Sequence, residues 1–185
     1  MLPKSREKKA QNIMDGMFND CRVMKTVDLS MFDTGKVTEF SQMFEACGSL
    51  EAVIGLETFD TTSGQDFSEM FSGCSSMKEL NLSTFDTRQA NSKYLNDGKY
   101  TNLMFLRFMS DCNKLEKVTF GPYFSFDGDG SAPNGYKLVM PAASGVTGWD
   151  DNWYDAQGNA YAPSAIPEET AGTYYAVNPV KTVAP

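Results

Sequence analysis

The chain of 185 residues contains no histidine. That absence excludes Ser-His-Asp and Cys-His nucleophile sites, HExxH zinc sites and imidazole proton shuttles, and most common hydrolase chemistries leave with them. Cations are also scarce: 16 Lys and Arg stand against 24 Asp and Glu, for a net charge of −8. Affinity for phosphate backbones comes mostly from clustered cations, so this balance argues against nucleic acid as a partner. No run reaches the roughly 18 to 20 apolar residues of a membrane span. Residues 1–12, MLPKSREKKAQN, are basic in flavour but lack the apolar stretch of a secretory signal, so the sequence as given carries no export address. Apolar residues make up 41% and aromatics 12%, enough for one core, and the length fits one domain with at most a small appendage.

What is present is a repeat. Met17-Phe18-Asn-Asp-Cys21, Met43-Phe44-Glu-Ala-Cys47, Met70-Phe71-Ser-Gly-Cys74 and the inverted Phe108-Met109-Ser-Asp-Cys112 are copies of one pentad, with cysteines 26, 27 and 38 residues apart. Three residues past each Cys stands Met24, Leu50, Met77 or Leu115, and six past stands Val27, Val53, Leu80 or Val118. Three copies then read Phe-Asp-Thr, at Phe32-Asp33-Thr34, Phe59-Asp60-Thr61 and Phe85-Asp86-Thr87. Phe40, Met43, Phe44 and Cys47, like Phe67, Met70, Phe71 and Cys74, fall at i, i+3, i+4 and i+7, which predicts one face of a short helix. Around Val27-Asp28-Leu29 and Leu80-Asn81-Leu82 the period becomes two, which predicts a strand. One unit of this size buries too few side chains to fold alone, so stacked copies with a shared core are expected.

The strings MFSGCSSMKELNLSTFDT, MFEACGSLEAV and MFNDCRVMKTVDLSMFDT resemble the BspA-like leucine-rich repeat of bacterial surface proteins, over about residues 13–126. The expected fold is therefore α/β: a right-handed leucine-rich-repeat solenoid with a short helix and a short parallel strand per coil, closed by a C-terminal β-rich cap. Residues 1–12 would be a lead-in or partial cap. Residues 13–126 would form about four coils with an insertion near 89–102, residues 127–177 the cap, and residues 178–185 an extended linker. The resemblance implies a bacterial cell-surface or extracellular location and an adhesive or ligand-binding role, with no catalytic residues.

Four cysteines in an exported protein invite two disulfides. Each Cys occupies the same slot of its unit, however, so the side chains should point the same way, and free buried thiols are expected instead. The methionines of the pentads read as core packing. Asp33, Asp60 and Asp86 recur at one turn position, which marks a local turn role and not a catalytic pair. Asp127-Gly-Asp129 resembles the start of a calcium loop, but the remaining ligand positions are missing, and an ordinary turn is read there. No cofactor or metal is called for.

Candidate binding residues come from two places. The inserted segment carries Tyr94, Lys99 and Tyr100 beside an Asp97-Gly98 turn signal, and long loops with tyrosines are enriched in recognition sites. In the tail, Trp149 and Trp153 could stack on sugar rings, against the reading that they serve as core. The outward strand residues Thr26, Asp28, Ser30, Glu79, Asn81, Ser83, Lys117 and Thr119 are small, polar and mixed in charge, and read as a solvated face. The function expected is a non-catalytic, adhesion-type interaction module, monomeric, with a protein or glycan partner on a host or neighbouring cell surface. The alternatives are a carbohydrate-binding module and a structural spacer of a larger surface protein; an enzyme ranks last.

Overall fold

None of the pentads is helical. In the computed structural model, which describes residues 13–91, 104–127, 138–167 and 171–181, each pentad is a run of linked turns. The reason lies in two backbone slots that recur in every layer. Gly16, Gln42, Glu69 and Arg107 have φ of 60°, 54°, 56° and 51°, and Asp20, Ala46, Gly73 and Asp111 have φ of 62°, 58°, 76° and 61°. A left-handed residue at every fourth position cannot belong to a right-handed helix.

The hydrogen bonds show what this arrangement gains. In the second layer the amides of Met43, Glu45 and Cys47 bond locally, to the carbonyls of Phe40, Gln42 and Phe44. The alternate amides of Phe40, Gln42, Phe44 and Ala46 reach the next layer, to the carbonyls of Asp66, Ser68, Met70 and Ser72 at 2.8 to 2.9 Å. An α-helix would consume every amide internally. Here half of them tie layer to layer, which offsets a left-handed cost of about 1–2 kcal/mol per non-glycine residue. Ala46 sits in the slot that Gly73 fills one layer on, so Ala46→Gly should stabilise the fold by about 0.5–1 kcal/mol, the relieved strain exceeding the added freedom of the unfolded chain. Chemical denaturation checks this.

The α/β helix-plus-strand leucine-rich-repeat solenoid expected from the sequence is thus overturned. Among the described residues there is no α-helix, only one 3-10 turn at Leu56–Thr58, and the strands are short and belong to two separate sheets. Strands β1 (Thr26–Asp28) and β2 (Ala52–Ile54) form a parallel pair. Strands β3 (Glu79–Leu82) and β4 (Lys117–Phe120) also pair in parallel, and the sheet continues through β7 (Gly172–Tyr175), β5 (Trp153–Tyr154) and β6 (Ala160–Tyr161), all antiparallel to their neighbours. β7 thereby covers the far edge of β4, where the strand would otherwise present unpaired backbone.

The interior is built from columns. Phe18, Phe44 and Phe71 stack at 5.5 and 5.4 Å with planes 3° and 15° apart, and Phe40, Phe67 and Phe105 at 5.2 and 5.8 Å with planes 4° and 16° apart. Phe71 donates its amide to Phe108 where Phe44 donates to Met70, so the inverted pentad puts Phe108 in the methionine slot and Met109 in the phenylalanine slot. The parallel stack ends there, and Phe108 meets Phe71 edge-on at 86°.

The cysteines line a third column as free thiols. Cys47, Cys74 and Cys112 donate to the carbonyls of Phe18, Phe44 and Phe71 of the preceding layers at 3.0, 3.3 and 3.1 Å. Burial raises the thiol pKa of all three above the ordinary range, that of Cys112 to about 12. The reactive thiolate is therefore suppressed. A thiol reagent should modify only half-exposed Cys21 readily in the native protein, and all four cysteines after denaturation without reductant. Fewer than four would reveal a disulfide.

Candidate functional site: a lysine-lined groove

The parallel register of β3 and β4, with β7 added on the far side, lines up outward side chains across three strands. Glu79, Lys117 and Tyr175 lie side by side in one row, and Asn81, Thr119 and Thr173 in the next. The first row holds a Lys117 Nζ to Glu79 Oε2 ion pair at 2.7 Å, and the second a Thr119 to Thr173 hydroxyl contact at 3.0 Å. Just before the strands, Lys78 pairs with Glu116 at 3.1 Å. The Glu79 carboxylate, as hydrogen-bond partner, holds the Lys117 ammonium above its ordinary pKa.

The first row, with Lys78, Glu116 and Lys114, lines an open groove of about 870 Å³ together with residues 145–147, Val177 and Pro179. Gly145 shapes the wall that residues 145–147 form. Its amide donates to the Asn113 carbonyl at 2.7 Å, and a Cβ there would lie 3.0 Å from that oxygen and 3.1 Å from Lys114 Cγ. A side chain there would make the wall or Lys114 give way by a few tenths of an ångström. The two glutamates each neutralise a lysine, which leaves the exposed Lys114 as a lining cation with no ion pair among the described residues. In a chain of net charge −8, the groove is thus locally cationic, with Tyr175, Val146 and Val177 as apolar surface.

Of the sequence-derived candidates, Tyr94, Lys99 and Tyr100 fall outside the described residues. Trp153 is fully buried and donates its indole N–H to the Pro141 carbonyl at 2.9 Å, while Trp149 packs edge-on against it at 5.7 Å. Trp153 is core and presents no face to a sugar ring, while Trp149 is half-buried against it. The groove was missed because Tyr175 and residues 145–147 join the site only through tertiary pairing. One signal was available: Lys78-Glu79 and Glu116-Lys117 occupy equivalent positions in reversed order, which in parallel register produces two complementary pairs.

Among the described residues no helix is long and apolar enough to cross a membrane. No curated protein and no solved structure matches the chain. Residues 12–98, which span the first three layers, match the model of a family described as "Mycoplasma protein of unknown function, DUF285".

Proposed function

We propose that this chain is a non-catalytic interaction module of a bacterial surface protein, and that the groove beside β4 and β7 takes an acidic peptide segment of a partner protein. The observation that carries this reading is Lys114, a cation with no ion pair among the described residues, set against an apolar wall in a chain of net charge −8. An acidic side chain would meet Lys114 while the neighbouring peptide lay on Tyr175, Val146 and Val177. The burial of Trp153 favours peptide over carbohydrate.

Fluorescence anisotropy with labelled peptides tests it. A Glu-Leu-rich peptide should bind with an affinity on the order of micromolar that weakens with salt, and a Lys-Leu-rich peptide should not bind. Lys114→Glu should weaken binding at least about tenfold, a reversal of charge at the contact. Gly145→Val should do the same by shifting the wall. Equal binding of both peptides, or unchanged affinity in Lys114→Glu, would remove the groove from the function and leave the spacer role.

A further inference from the structure

From the open end of the first layer we infer that two copies of this chain associate through it, strand β1 against strand β1. The first layer has the residues of an internal layer and the exposure of a surface. Met17 is 44% exposed where its counterpart Met43 is 0%, and Phe32 is 38% exposed where Phe59 is 2%. In the same layer Val23, Met31 and Ile13 are 90%, 93% and 51% exposed. The terminal layers of stacked repeats ordinarily turn a polar face outward. This one retains the Met-Phe-x-x-Cys and Phe-Asp-Thr residues that the inner layers use to pack.

Among the described residues the backbone is equally open. The Leu29 amide and the Lys25 carbonyl bond to the second layer, at Ile54 and Glu51, so by the alternation of a parallel pair Thr26 and Asp28 turn their N–H and C=O groups to the opposite edge. Among the described residues, β1 pairs with β2 alone. Such an edge is self-complementary. Antiparallel pairing about a two-fold axis at Val27 sets Thr26 opposite Asp28 of the second copy and Asp28 opposite its Thr26, each exchanging two hydrogen bonds. No like charges face one another in that register. The same axis keeps interior over interior, so the apolar residues of the first layer meet their equivalents. On the turn side both copies present carbonyls, and the contact there is made by side chains. Charge permits the approach: Arg22, Lys25 and Lys36 nearly balance Asp15, Asp20, Asp28 and Asp33, so the end of the molecule that meets its copy carries little of the chain's −8. The reading departs from the monomer expected from the repeat resemblance and stands independently of the groove.

Sedimentation velocity of the full chain between roughly 1 and 100 μM should show a shift from the 20.4 kDa chain mass to twice that value. Val23→Glu combined with Met31→Glu, at positions so exposed that folding is not at stake, should weaken association at least about tenfold. Ile54→Glu, a half-exposed residue of the second layer, should leave it unchanged. Amide exchange at Thr26 and Asp28 should slow as concentration rises. A single species at chain mass throughout would overturn the inference. So would a dimer that Ile54→Glu breaks while the first-layer pair does not, or protection at Thr26 and Asp28 that is independent of concentration, the sign of a cover within the chain.

Discussion

Gly55→Ala is expected to destabilise the fold by about 3 kcal/mol or more, a large share of the 5–15 kcal/mol typical of a domain. Two independent effects add. Gly55 has φ of 86°, where a side chain costs about 1–2 kcal/mol. A Cβ there would also stand 2.4 Å from both the Cα and the N of Ser30, far inside contact distance. Those are backbone atoms and cannot rotate away; Ser30 is held in place because its amide donates to Asp28 Oδ1 at 3.0 Å. Relief must come from parting the first layer from the second, at the cost of the β1–β2 ladder. The arrangement repeats two layers on: Ser83, whose amide donates to Asn81 Oδ1 at 3.1 Å, approaches Gly121 so closely that a Cβ would lie 1.9 Å from its carbonyl oxygen. Layers therefore meet as serine against glycine at this corner. In thermal unfolding, Gly55→Ala should lower Tm by about 6–12 °C for a chain of this size. Gly48→Ala is the control, because a Cβ there meets only the Ser75 hydroxyl at 3.6 Å. Similar shifts for the two variants would show that the close approach has no energetic weight.

Phase was legible in the sequence, and backbone was not. The Cys slot, the Phe-Asp-Thr turn and the reversed Lys-Glu pairs all name positions that lie above one another, as Lys78 with Glu116 and Cys74 with the layer of Cys47 illustrate. The helix was misread for a physical reason. Phe40, Met43, Phe44 and Cys47 are all fully buried, as a helical face would require, but a chain with a left-handed residue every fourth position returns the same side chains inward. Burial periodicity near four does not distinguish these backbones. Gly16 and Gly73 hint at the left-handed slots, whereas Gln42, Glu69 and Arg107 carry no such mark. The groove was less legible still. Strand alternation marks Lys117 and Glu79 as outward, but Tyr175 and Gly145 reach them from 58 and 28 residues beyond Lys117, Tyr175 by pairing with β4 and Gly145 by its hydrogen bond to Asn113.

Thr61→Val should cost about 2–4 kcal/mol although the two side chains have nearly the same shape. The Thr61 hydroxyl donates to the Asp86 carbonyl at 3.0 Å and accepts from the Asp86 amide at 2.8 Å, so one oxygen satisfies both backbone groups of the Phe-Asp-Thr aspartate in the next layer. Thr34 does the same to Asp60, and Thr87 to Ser125. The aspartate between the layers cannot help, because its carboxylate is committed elsewhere: Asp86 accepts from the Arg88 amide and guanidinium, as Asp60 accepts from Thr62. Valine would leave a buried amide and a buried carbonyl without partners, at about 1–3 kcal/mol each. Thr61→Ser keeps the hydroxyl and gives up one methyl, worth about 1 kcal/mol. The order expected in urea denaturation is therefore wild type, serine, valine, whereas packing alone would put valine above serine. A valine variant more stable than the serine variant would assign the threonine column to packing. The fourth layer supplies the converse: its Phe124-Ser125-Phe126 has a phenylalanine in the threonine slot, packed on Phe120 at 4.8 Å, so the hydroxyl column ends where that ring meets Phe120.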